Sequence, residues 1–317
     1  MANAVHEMGT RPGAGHHHIG RGIWRVADPK ITLASVSSMV LGAAIAAWQG
    51  PIAWGWLALT VLGVFFFEAA KNSSGEIFDW DSGADQALSV SERTPFSGGK
   101  RVLVDGLMTR RQTAWMAAAF YTLGIAAGLA IVIGREPQVL WLGMLGAGLA
   151  FFYHAPPLKL SYRGLGEVAV ALAYGPVIAC GTYLVQRHGV SPEVLWASLP
   201  LGVAIMAFLW INEFPDARAD ALAGKRTLVV RLGRPWAARA FAGLVVLTYL
   251  GLVVLPLSGL PPGVWGGFIG LPFAVRAAER LIRSPETPAK MVPAQRWTLL
   301  SFVLLALGAA LGIWLVG

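Results

Sequence analysis

Asn212, Asp216 and Asp220 are spaced four residues apart, and Gly224-Lys225-Arg226-Thr227 follows them at once. On a helix this spacing sets three oxygen-bearing side chains in one row. The row closes the apolar run from Leu201 to Ile211, so it stands at the mouth of a membrane span with two cations beside it. Carboxylates and a cationic pair in that position suit a divalent cation that holds a phosphorylated substrate. A second polar cluster runs from Asn72 to Asp85 and contains Glu76, Asp79 and Asp81. If the preceding helix continues through it, Asn72, Glu76 and Asp79 share a face. Gly83 is then expected to end the helix, and Asp85 reaches in from the turn. Each cluster follows an even-numbered span, so both open on the same side. Facing clusters can hold metal ions between them. Left alone, Glu76, Asp79, Asp81, Asp85, Glu213, Asp216 and Asp220 repel one another, and metal plus diphosphate relieves that repulsion. The bland alternative is a solvated acidic face.

The nearby cations suit the same ligand, because arginine forks pair with phosphate oxygens and lysine supplies a compact charge. Arg93, Lys225 and Arg226 are the candidates to bind the diphosphate. An excess of Lys and Arg on inside loops accounts for most of the others, including Lys100 and Arg101. A third polar segment runs from Tyr153 to Glu167, and Pro156-Pro157 stops the helix before it. Tyr153, His154 and Tyr162 can shape an acceptor pocket or serve as interfacial aromatics. Glu167 can cap a helix N-terminus, the role we favour, or act as a base in that pocket.

These segments need a frame to position them. The chain has 317 residues, 56% of them hydrophobic and 13% charged, about half the charge of a soluble domain, which carries roughly 25%. That composition points to an all-α polytopic membrane protein. Nine stretches are long and apolar enough to read as spans: 31–48, 52–70, 113–133, 139–154, 166–185, 194–212, 236–255, 263–277 and 297–316. With the N-terminus inside, every Lys and Arg except Arg135 and Arg187 falls on the inner face. This supports the count and sets both clusters on the cytoplasmic side of a plasma (inner) membrane. The net charge of +8 follows from that bias, so no nucleic acid is implied. Residues 1–22 read as a disordered tail without a secretory signal, and 23–317 as one transmembrane domain. His16-His17-His18 in the tail is a possible metal binder, with a plain disordered tail the favoured reading. The single Cys180 reads as a buried thiol. No obligate protein partner is implied.

The pattern Asn212-Glu213-x-x-Asp216-x-x-x-Asp220-x-x-x-Gly224-Lys225-Arg226-Thr227-Leu228 resembles the second aspartate-rich motif of the UbiA-type intramembrane prenyltransferases. Asp79-Trp80-x-x-Gly83-x-Asp85 resembles the first. The segment from Tyr153 to Glu167, and Gly175-Pro176 with Gly181-Thr182-Tyr183, are similar to the branch that acts on 1,4-dihydroxy-2-naphthoate in menaquinone synthesis. The chain departs from the family at Gly75-Glu76, where the first motif has Asn-Asp. The resemblance implies a UbiA-like fold of nine helices around a central cavity open to lipid. It also implies Mg²⁺-dependent transfer of a polyprenyl group from its diphosphate to an aromatic acceptor. Two Mg²⁺ ions would be held by Asp79 and Asp85 on one side and by Asn212, Asp216 and Asp220 on the other. Asn72 would stand in for the missing motif Asn, with Glu76 and Asp81 as secondary ligands or proton acceptors. Other acceptors stay open: 4-hydroxybenzoate, homogentisate, a chlorin or glycerol phosphate. A cation-coupled transporter is the reading from a different class, and it calls for charges deep within spans. Glu68 is the only acid there.

Overall fold

Gly83 marks where the first cluster's helix ends. It takes the left-handed conformation, with φ at 81°, and donates its N–H to the Trp80 carbonyl, a stop that glycine adopts without steric cost. The computed structural model describes residues 16–317. Its longer helices in chain order are α1 (His16–Ala27), α2 (Pro29–Trp48), α3 (Trp54–Ser82), α4 (Arg110–Gly134), α5 (Val139–Phe152), α6 (Gly166–Arg187), α7 (Pro192–Leu222), α8 (Arg234–Val254), α9 (Leu271–Arg283) and α10 (Pro288–Val316), with short helices at Ala84–Ala87, which carries Asp85, and Leu228–Leu232. Residues 16–22, expected as tail, therefore lie in a helix. Residues 1–15 and the side chains of His16-His17-His18 fall outside the described residues. Among the described residues the only β feature is one isolated bridge, Thr94 to Ser97.

All nine expected stretches fall on helical segments. Among the described residues six helices are long and apolar enough to cross a membrane, and a bent pair over 19–48 makes a seventh. The count of nine spans is therefore coarser in the structure. The fourth is the short α5. The eighth is a 3₁₀ segment, Pro262–Gly270, that runs into α9. Runs of 3₁₀ longer than a turn are uncommon, and close packing explains this one. Gly263 and Gly266 press against the backbone of Gly312 and Gly308 on α10, with no room for a Cβ.

Two helices reach well past their expected ends, and these carry the acidic clusters. α3 runs beyond residue 70 to Ser82, and α7 runs beyond residue 212 to Leu222. α7 starts on a Ser191 cap that accepts from the Val194 N–H, with Pro192 in the first turn. It is the most buried of the candidate spans. Leu201, Ile205, Ile211 and Phe214 are buried on it, and Leu41, Ile45, Phe241 and Phe302 are buried on its neighbours. The side built from α3, α4 and α5 is less buried, with more of its apolar surface facing outward. It encloses, with α6, an apolar cavity of about 190 Å³. In α6 a π-turn, Ala173–Val177, forms where Pro176 cannot donate to the regular ladder, and Tyr174 on that turn lines the cavity.

Candidate functional site

The carboxylates on α3 and α7 meet across one space, and Lys225 stands between them. Its Nζ lies 3.7 Å from Asp79 Oδ2 and 3.6 Å from Asp220 Oδ1. The Lys225 N–H donates to the Asp220 carbonyl, which folds the 222–227 turn back over the helix end. Burial works against its charge, but the Asp220 and Asp79 carboxylates outweigh burial and hold the ammonium protonated well above the usual lysine range.

Around this cation several oxygens are buried without a hydrogen-bond partner: Asp85 Oδ2, Asn212 Oδ1, Asp216 Oδ1 and Glu213 Oε2. Orphaned buried acceptors are costly and call for a ligand. Burial, with the Asp79 and Glu76 charges, pushes the Asp85 carboxyl up to about 8, the response of a carboxylate that lacks a counter-cation. Among the described residues, no three His, Cys, Asp or Glu side chains could hold a metal ion by themselves. The donor set thus fits an ion that takes one or two carboxylates from each side and completes its shell with substrate oxygens, the usual arrangement for Mg²⁺ on phosphates.

The remaining expected residues divide sharply. Asp79 Oδ1 accepts from the Tyr162 hydroxyl at 3.1 Å, and His154 Nε2 lies 3.6 Å from Oδ2. Tyr162 therefore belongs to the first cluster rather than to an acceptor pocket. Burial and the nearby Asp79 charge push its hydroxyl up to about 12, so it stays a donor. Glu76 commits both oxygens to the backbone: Oε1 accepts from Lys100 and Arg101, and Oε2 from Val102 and Leu103. Asn72 donates its amide to the Val26 carbonyl. The four bonds to Glu76 give it a structural role, whereas the Asn72 bond uses only the amide N–H and leaves its Oδ1 available to a ligand. Asp81 pairs with Arg110 at the exposed rim. Glu167 accepts from the Leu228 N–H at 2.5 Å, at the start of the short helix Leu228–Leu232 that Thr227 caps; it does not line the cavity. Tyr153 does line it. Arg93 lines a separate polar cavity of about 520 Å³ with Trp24, Lys100 and Phe208, and Arg226 is exposed.

Three features escaped the sequence reading. The Gly98 N–H donates to Asp216 Oδ2 at 3.0 Å, which brings the 93–101 loop onto the second cluster. Gly98 and Gly99 both have positive φ, and a side chain on Gly99 would meet Asp85 at 2.5 Å. The Gly-Gly pair just before Lys100 was the available signal. Arg218 grips Glu92 with two bonds, at 2.7 and 2.6 Å, and so pins the first loop to α7. Lys71 opens into the apolar cavity beside Tyr153; a cation immediately after an apolar run was its signal.

The model of the UbiA prenyltransferase family matches residues 35–300. The chain is 23% identical over 281 residues to the 1,4-dihydroxy-2-naphthoate octaprenyltransferase of Bacillus subtilis (strain 168), covering 88% of each chain. It is 28% identical over 285 residues to the protein of that name from Mycobacterium tuberculosis, covering 90% of this chain and 94% of the relative. In fold it is similar to a UbiA homolog from Archaeoglobus fulgidus solved with GPP and Mg²⁺, with a TM-score of 0.58 at 16% identity, covering 91% of this chain and 99% of that one.

Proposed function

Since the chain belongs to the UbiA prenyltransferase family and is a prenyl-transferring membrane enzyme, we propose that it moves a polyprenyl group from its diphosphate to 1,4-dihydroxy-2-naphthoate, with Mg²⁺ as cofactor. The observation that carries this reading is the Lys225 ammonium held between Asp79 and Asp220, with the open oxygens of Asp85, Asn212 and Asp216 around it. A charged diphosphate head fits that space. An apolar tail fits the cavity between α3, α4, α5 and α6, which lies next to it through Tyr153 and His154. The names of the Bacillus and Mycobacterium relatives support the acceptor, and the Archaeoglobus complex supports the metal.

Asp79 and Asp85 from the first cluster, and Asn212, Asp216 and Asp220 from the second, would hold the cation. Bound there, Mg²⁺ supplies charge neutralisation for a departing diphosphate. Lys225 adds a fixed positive charge at the same place, and Tyr162 keeps Asp79 oriented. Arg93 and Arg226 are proposed to reach the outer diphosphate oxygens when the 93–101 loop and the 222–227 turn close on it. The C1–O bond of the prenyl diphosphate breaks, and its electron pair leaves on diphosphate. The ring carbon that bears the carboxylate forms the new bond to C1. Loss of that carboxylate as CO₂ returns an electron pair to the ring. The buried walls exclude water, which would otherwise trap the allylic cation.

The distribution of Lys and Arg supports placing the acidic clusters on the cytoplasmic face of the plasma membrane. The test is diphosphate release by the protein in membranes given a polyprenyl diphosphate, 1,4-dihydroxy-2-naphthoate and Mg²⁺. We expect a prenylated naphthohydroquinone and none with EDTA. Turnover that persists without divalent cations, or unchanged menaquinone in a deletion strain, overturns the reading.

A further inference from the structure

The cavity beside the diphosphate site is mostly apolar. Its ionisable lining residues are Glu68, Lys71, Tyr153 and Tyr174. Ionisable side chains within a membrane span are expensive, and they mark function by default. Glu68 is buried and engaged through one oxygen: Ser35 Oγ donates to its Oε2 at 2.9 Å, with the Tyr174 hydroxyl close to the same carboxyl group. Lys71 differs. Among the described residues its ammonium has no carboxylate within ion-pair distance, and it rests 4.7 Å above the Tyr153 ring. Glu68, one turn earlier on α3, offsets the cost of keeping that charge out of water.

We propose that Lys71 anchors the aromatic acceptor by its carboxylate, with the Tyr153 and Tyr174 rings beside the acceptor ring. This rests on the function proposed above and names the group that selects its acceptor. The geometry of α3 carries it. Lys71, Gly75 and Asp79 lie in one row, and the row rises about 12 Å from Lys71 to Asp79. A diphosphate at the Asp79 level puts the reactive prenyl carbon just below, inside the cavity mouth. The attacked ring carbon bears the carboxylate, so that group stands beside C1, and the flexible four-carbon stem of Lys71 spans towards it from the lower turns of α3. Gly75, between Lys71 and Asp79, is packed against the His154 ring, so the acceptor ring lies in the cavity itself, beside Tyr153. The carboxylate that Lys71 holds is the one lost as CO₂.

The experiment uses the full chain in lipid nanodiscs with saturating polyprenyl diphosphate. Two acceptors are compared: 1,4-dihydroxy-2-naphthoate and the carboxylate-free 1,4-dihydroxynaphthalene. In wild type we expect the acid to have the lower KM by about 10- to 100-fold, the range of a charge-assisted hydrogen bond. Lys71→Met should raise the KM for the acid to that of the diol and leave the prenyl diphosphate KM within about twofold. Lys71→Arg should keep most of the preference. No preference in wild type overturns the proposal even if Lys71→Met fails to fold. A raised KM for prenyl diphosphate instead assigns Lys71 to the diphosphate and also overturns it. Equal losses on both acceptors make the role structural. If wild type releases diphosphate but prenylates neither aromatic, the proposed function itself falls; a Lys71 failure alone leaves it standing.

Discussion

The two acidic clusters have similar sequence patterns and opposite uses of their side chains. The α7 cluster keeps its oxygens open: Asn212 Oδ1, Glu213 Oε2 and Asp216 Oδ1 are buried without partners. It can do so because α7 is fixed by the core beneath it, where Leu201, Ile205, Ile211 and Phe214 are buried. The α3 cluster lies on the less buried side and must also organise the loop that follows it. Glu76 is committed to four backbone N–H groups, Asn72 to Val26 and Asp81 to Arg110. Asp79, Asp85 and the Asn72 amide oxygen remain for a ligand. One cluster thus presents oxygens from a rigid helix, and the other builds the wall that faces it.

Removing an open oxygen should have the largest effect. Asp216→Ala and Asp79→Ala should each lower the rate of diphosphate release by about 10²- to 10³-fold, the usual cost of deleting one group that stabilises developing charge. Asp216→Asn should also raise the Mg²⁺ concentration needed for half-maximal rate. Glu76→Gln should behave differently. An amide cannot accept from all four N–H groups, so stability should fall by about 1–3 kcal/mol, read as a lower melting temperature in detergent. Its Mg²⁺ dependence should stay where wild type has it. A Glu76→Gln variant that melts normally but needs more Mg²⁺ would erase the distinction between the clusters.

Gly75 sharpens the contrast further. A Cβ there would lie 2.7 Å from His154 Cε1 and 3.0 Å from Nδ1. The glycine is a seat for the His154 ring, which in turn approaches Asp79. Restoring the family residue with Gly75→Asn should therefore overpack the site, at about 1–3 kcal/mol, and cut turnover by roughly tenfold. The double variant Gly75→Asn/His154→Ala should recover most of both, because contacting residues couple by up to about 3 kcal/mol. Additive losses in the double variant would show that the two positions do not share the space.

The helical class, the membrane character and the pairing of the two clusters were legible because they depend on local pattern. Apolar runs, a four-residue oxygen spacing and a glycine stop at Gly83 all act within one helix. What stayed hidden depends on which groups face each other after folding. Glu76 has the residue type and spacing of a ligand, and only the approach of the 100–103 backbone shows that its oxygens are taken. Tyr162 read as a pocket or an interfacial aromatic, and only the 160–162 turn brings its hydroxyl to Asp79. Lys71 looked like one more inside cation, since a single sequence does not show that its side chain opens into a cavity. The 3₁₀ segment at Pro262–Gly270 was read as an ordinary span, because glycines signal close packing but not the helix type that results.

The smallest expected effect concerns the strap that joins the clusters. The Arg218 guanidinium hydrogen-bonds Glu92 in two places, and with help from Ser89 this holds the Glu92 carboxyl down to about 2. A folded-state value below the unfolded one contributes stability above the unfolded carboxylate range, near pH 4.5, and that stability is lost as pH falls from there towards 2. Arg218→Ala should therefore melt slightly below wild type at neutral pH, and the two curves should converge as the buffer is acidified through that window. The pair sits at the surface, where ion pairs contribute little, so the KM for prenyl diphosphate should rise less than about fivefold. The strap has a mechanical role: it keeps the 84–101 loop against α7, where Gly98 reaches Asp216. If Arg218→Ala instead abolishes activity while the protein stays folded, the α3 side cannot find its place without the strap. The α7 cluster would then be rigid only because the loop is tied to it, which reverses the order of dependence between the two regions.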